Sequence, residues 1–109
     1  MDIILIWISA LSFFGYGMSC LFTRHMKLEF KRFGLASQRL FVGWTQVLGA
    51  TGLLLGIQAP AIGLIAAGGL AFQMLLGVGV RIAIRDTFLQ TLPASVYFLL
   101  NLYLFIAFL

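Results

Sequence analysis

Carboxylates are nearly missing from this chain. It holds three Asp and Glu in 109 residues, and charge of either sign makes up only 9% of it. A soluble domain needs far more charge to face water, so a water-exposed globular fold is excluded. A single cysteine, Cys20, excludes an internal disulfide and a two-thiol redox pair. A single histidine, His25, supplies no metal constellation. None of the long apolar runs contains Asp, Glu, Lys or His, so the spans offer no proton carrier for acid–base catalysis.

What remains is oil-like. The chain is 62% hydrophobic with a mean hydropathy of +1.10, and its apolar residues gather into runs over 3–22, 38–57, 60–80 and 88–109. Each run reaches the roughly 20 residues that an α-helix needs to cross a bilayer. The expectation is therefore an all-α polytopic membrane protein, a compact bundle of four transmembrane helices in one domain spanning 1–109. The first run is read as a retained helix, because Asp2 is the leading charge where a cleaved leader would carry a basic segment.

Orientation follows from the cations. Arg24, Lys27, Lys31, Arg32 and Arg39 fall in or beside the first loop, and Arg81 and Arg85 in the third, while the second loop, 56–60, carries no charge. Short loops rich in Lys and Arg stay in the cytoplasm. Both termini are thus expected on the non-cytoplasmic side. The net charge of +4 then marks a cationic rim suited to anionic lipid headgroups, with no need to invoke nucleic acid.

Local patterns sharpen this. In the first loop Met26, Phe30 and Phe33 recur at helical spacing beside Lys27 and Lys31, which favours a short helix lying in the interface, closed by Gly34, over the alternative of an unstructured basic loop. Ser37 is the expected N-cap of the next span. Small residues at Ser9, Ser12, Gly15 and Ser19 form one ridge, Thr45, Gly49, Gly52 and Gly56 a second, and Ala66, Gly69, Gln73 and Gly77 a third. Such stripes let backbones approach, so the second and third spans should pack as antiparallel neighbours. The last span begins near Phe88 or near Leu92, with Pro93 in its first turns. Phe98, Tyr103, Phe105 and Phe108 are expected to face lipid.

The polar residues inside the runs lie at one depth. At a rise of about 1.5 Å per residue, Tyr16, Gln46 and Gln73 each sit roughly 12 Å above the cationic rim. Tyr97 and Asn101 bracket that level on one face of the last span. A buried amide in hydrocarbon is costly unless bonded, so these five groups are expected to meet inside the bundle, with Gln46 and Gln73 within hydrogen-bonding reach, directly or through water. Read structurally, the layer fixes register, and Gln46→Leu should lower thermal stability. Read functionally, its amides and phenols could hold a quinone, a lipid headgroup or a sterol-like molecule.

The order of features resembles a known family. A basic first loop, Phe33-Gly34-Leu35, GWTQVLGATGLLLG, a proline turn, a Gly-rich third span and RDTFLQTLPASVYFLLNLYL are similar to the DoxX-like small membrane proteins. The resemblance implies a four-helix bundle, and named relatives include subunits of a terminal quinol oxidase and of a thiosulfate:quinone oxidoreductase. Many members carry glutamate where this chain has Gln46, and often histidine where it has Arg81. Proton-linked chemistry built on those groups is not expected here.

Two functions fit. One is an accessory or assembly subunit, without catalytic residues or a cofactor of its own, packed against a larger membrane partner or another copy of itself. The other is a quinone- or lipid-binding subunit of a membrane oxidoreductase, the redox centre being held by a partner. A proton-coupled transporter of the small multidrug type ranks below both, because that resemblance would demand a glutamate in the first span. The expected location is a bacterial inner membrane or a plasma membrane, with the basic loops cytoplasmic.

Overall fold

The computed structural model describes residues 3–109; Asp2, whose charge argued against a cleaved leader, lies outside them. The described residues form five α-helices: α1 (Ile3–Phe22), α2 (Arg24–Arg32), α3 (Arg39–Leu55), α4 (Pro60–Ala83) and α5 (Phe88–Phe108). Four of them follow the four apolar runs and α2 is the short helix expected in the first loop. Among the described residues α1, α4 and α5 are long and apolar enough to cross a membrane. With 17 residues, α3 is about 26 Å long and falls short of that length. The long axis of the molecule is 38 Å, against roughly 30 Å of hydrocarbon in a bilayer.

The bundle is apolar on its surface and largely apolar within, with Ile6, Leu53, Leu70 and Leu104 filling its core. Ile4, Ile65, Phe72 and Leu99 point outward, whereas Ser9, Gln46 and Asn101 are buried. Hydrophobic burial cannot drive helix association in lipid, so close packing and hydrogen bonds must do it. Along the α3–α4 seam Thr45 meets Gln73, Gly49 meets Leu70, Gly52 meets Ala66 and Gly56 meets Gly63, a register in which the helices run in opposite directions. Not every small residue takes part. Nothing lies within 4 Å of a Cβ built on Gly69 or Gly15, and the close-contact glycine of α1 is Gly17, against the backbone of Gly43.

Phe108 is a correction. Expected in lipid, it is 5% exposed and lies across Gly56 and Gly63. Phe105 turns inward too, against Gly68, while Tyr103 stays outside. α5 therefore docks through aromatic rings onto bare backbone.

The helix ends have local causes. Thr23 caps α2 by accepting from Met26 N. Gly34, at φ 74°, lets Leu35 N reach Phe30 O and Gly34 N reach Lys31 O, closing α2 in a Schellman turn. α4 ends in the same turn with Arg85 at φ 60°. Thr87 and Gln90 form a capping box, so α5 starts at Phe88 and runs through Pro93. Ser37 is not the cap of α3: it lies within a 3₁₀ turn, Ala36–Gln38, and Gln38 takes the N-cap position.

Candidate functional site

A cavity of about 680 Å³ lies between α1, α3, α4 and α5. Such a volume is typical of small-molecule sites. Phe13, Met74 and Ala94 give it apolar walls, and Gly15 and Gly77 leave room where side chains would intrude. At the basic end it is closed by Phe30 and Phe33 of the α2 segment together with Arg81. Tyr16, Gln46, Gln73 and Tyr97 all line it. Asn101 does not; it is buried one turn further along α5.

The polar residues divide into a saturated set and an unsaturated one. Ser9 Oγ donates to Asn101 Oδ1 at 2.9 Å, Asn101 Nδ2 to Tyr97 O at 2.8 Å, and Tyr97 OH to Ser12 Oγ at 2.9 Å. These bonds tie α5 to α1, and Phe13 packs edge-on to Tyr97 at 5.5 Å beside them. Ser9 and Ser12 had been read only as small residues on a ridge; their hydroxyls are what fix this seam.

The glutamines behave differently. Gln73 Nε2 donates to Thr45 Oγ1, whose own hydroxyl donates to Val42 O at 2.9 Å. No direct bond joins Gln46 to Gln73 among the described residues; the side-chain partner of Gln73 is Thr45. Both side-chain carbonyl oxygens, Gln46 Oε1 and Gln73 Oε1, are buried without a partner. Native proteins satisfy nearly all such atoms, which makes a pair of orphans in one cavity a functional signal.

The sequence model of the DoxX-like family covers residues 3–105. The chain belongs to the DoxX-like family. No curated protein and no solved structure matches it.

At the basic end of this DoxX-like protein the seven cations have different duties. Arg39 donates to the carbonyls of Cys20 at 2.6 Å and Leu21 at 3.2 Å, covering the open end of α1. Arg32 bonds Glu29 at 2.6 Å and Asp86 at 2.5 Å, and Arg81 bonds Asp86 at 2.8 Å. Both guanidinium groups also lie over the ring of Phe33, at 5.2 and 5.1 Å. Arg24, Lys27 and Lys31 line an open groove with Leu21 and Leu28, and Arg85 is exposed. That groove suits anionic headgroups.

Asp86 is the residue that sequence reasoning passed over. Its side chain is 5% exposed and clasps α2 to the end of α4 beneath the cavity. The only cue was a lone acid in a basic loop. Hydrogen bonds from Arg32, and then Arg81, hold its carboxyl below the usual range, although partial desolvation opposes them. In turn Asp86, and then Glu29, raises the Arg32 guanidinium. A carboxyl lowered by folding contributes stability that is complete above its unfolded value near 4 and is lost as pH falls through the folded one. Hydrogen exchange should accordingly find α2 protected at neutral pH and opening only below about pH 4. Asp86→Asn should open it at neutral pH; equal protection in the variant would remove the clasp from the account.

Proposed function

We propose that this chain is a small, non-catalytic membrane subunit that holds a lipophilic molecule in the cavity between its helices. The single observation that carries the reading is a pair of buried, unpartnered amide oxygens on two residues that line an apolar, ligand-sized space. Among the described lining residues there is no Asp, Glu, Lys or His, so the site binds and orients but moves no proton of its own. If the occupant takes part in redox chemistry, as in a quinone-binding oxidoreductase subunit, the flavin, haem or iron–sulfur centre belongs to a partner. An accessory or assembly role against such a partner is compatible with the same cavity.

The proposed placement has four segments crossing the bilayer in a single domain, α3 being helped by the turn before it, with both termini on the non-cytoplasmic side. In a Cys20→Ala background, cysteines at Lys27 and Lys31 should resist an impermeant thiol reagent in intact cells and react once the membrane is opened. Reaction in intact cells reverses the orientation.

Occupancy is tested by native mass spectrometry after gentle extraction. The wild-type chain should retain a small molecule at near one-to-one ratio, and Gly15→Leu/Gly77→Leu, which fills the cavity, should lose it. Equal retention by both, or none by either, removes the binding reading; a protein partner carried through purification in both cases would favour the accessory one.

A further inference from the structure

We infer that the cavity selects a neutral amphiphile whose polar head is a hydroxyl group, an aliphatic alcohol or a phenol, over heads that only accept hydrogen bonds. The inference rests on the binding role proposed above and names the chemistry of the occupant.

The argument begins at Thr45. Its single hydroxyl proton is committed to Val42 O, so toward Gln73 the oxygen can only accept. Gln73 then presents its amide nitrogen to Thr45, and its carbonyl oxygen is left buried without a donor on a residue that lines the cavity. The two ends of an amide are often interchangeable on paper. With Thr45 donating to Val42 O, the nitrogen is the end of Gln73 that meets Thr45.

Gln46, 1% exposed, also lines the cavity, carries a second buried oxygen without a partner and makes no side-chain bond through its nitrogen among the described residues. A hydroxyl answers both residues because it donates one bond and accepts others. An ether or ketone can accept from Gln46 but leaves Gln73 Oε1 orphaned. An ammonium head would donate, yet it would be a buried charge in a space that already borders Arg81. An anionic head would have to compete with Asp86, which already holds the Arg81 guanidinium. Neutral and donating is the combination left.

The test uses the full chain in lipid nanodiscs with diazirine photoprobes: a long-chain alkanol, an alkylphenol, and the methyl ether of each. Each hydroxyl form should half-saturate labelling of α3 and α4 at about tenfold lower concentration than its ether. Whichever hydroxyl probe binds tighter identifies the aliphatic or phenolic source. Gln73→Met should bring the hydroxyl-to-ether ratio close to one. Thr45→Val should do the same while keeping the glutamine, because the freed amide can turn; an unchanged ratio in both variants overturns the inference. Gly15→Leu/Gly77→Leu should abolish labelling by all four probes while circular dichroism shows wild-type helicity, since a Cβ at Gly15 meets nothing within 4 Å and one at Gly77 meets only Ala94, at 4.0 Å. Equal affinity of alcohols and ethers, still blocked by cavity filling, would overturn hydroxyl selection and leave the binding role standing. Absence of saturable labelling by any probe would take both down.

Discussion

Replacing Gly56 by alanine should destabilise the bundle by about 1–3 kcal/mol, one of the larger effects any single methyl group can have here. A Cβ on Gly56 would stand 2.5 Å from Gly63 Cα and 2.9 Å from the Phe108 ring. The first obstacle is backbone, and two helices joined by a turn of a few residues cannot separate there without disturbing the whole α3–α4 seam. Gly63→Ala meets only the Phe108 ring among its nearest neighbours, and a ring can shift. The two substitutions are separable by a double-mutant cycle with Phe108→Leu: Gly63→Ala should couple to it strongly, and Gly56→Ala less. Gly69→Ala is the control, since its Cβ meets nothing within 4 Å and alanine favours helix by about 0.5–1 kcal/mol. Unfolding titrations in mixed micelles measure all four. If Gly56→Ala unfolds at the wild-type midpoint, the close crossing of α3 and α4 is not what holds the helices.

That seam was largely legible beforehand. The stripe Thr45, Gly49, Gly52, Gly56 appears in the structure as drawn from spacing, because helical geometry alone decides which residues share a face. Its partner stripe was only partly right: Gly69 falls away from α3, and Gly63, nearly two turns nearer the proline, makes the contact. Spacing cannot choose among the glycines of a helix that has Gly63, Gly68, Gly69, Gly77 and Gly79, since the choice depends on where the neighbouring helix starts. Phe108 was misplaced for a related reason. A phenylalanine suits lipid and bare glycine backbone equally well, and only the docked partner distinguishes them. The short α2 was readable from Met26, Phe30 and Phe33, with its Gly34 stop, because an isolated amphipathic turn between two apolar runs has one way to bury its apolar face.

The polar residues were legible as a set but not as a circuit. Depth counting brought Tyr16, Gln46, Gln73 and Tyr97 to one cavity, yet it paired the glutamines with each other. Gln73 instead found Thr45, whose hydroxyl had been counted merely as small. Ser9 and Ser12 were overlooked in the same way, although they complete Asn101 and Tyr97. Short hydroxyl side chains serve both as packing residues and as hydrogen-bonding groups, and a one-dimensional reading credits them with only the first role. Asp86 was missed because its partners, Arg32 and Arg81, come from helices far apart in sequence.

The difference between a saturated and an unsaturated polar residue gives the second large prediction, and it reverses the sign expected from the sequence. Gln46→Leu should raise the stability of the empty bundle by about 1 kcal/mol, because it removes a buried amide that makes no side-chain bond. Asn101→Leu should lower it by about 1–2 kcal/mol, because it leaves the buried Ser9 hydroxyl without its acceptor and frees Tyr97 O. Two buried amides of similar burial are thus expected to respond in opposite directions to the same replacement. A Gln46→Leu variant that unfolds more easily than wild type would mean that the amide is bonded and the layer structural, as the sequence alone had suggested. Ligand sharpens the comparison. A molecule bound to the folded state adds RT ln(1 + [L]/Kd) to stability, so saturating the cavity with the preferred hydroxyl probe should stabilise wild type and Asn101→Leu alike. Gln46→Leu should gain less, since it lacks one of the groups the probe satisfies. An amide kept unpaired at a cost to stability, and repaid only when the cavity is filled, is what a binding site in a membrane bundle would look like before its ligand arrives.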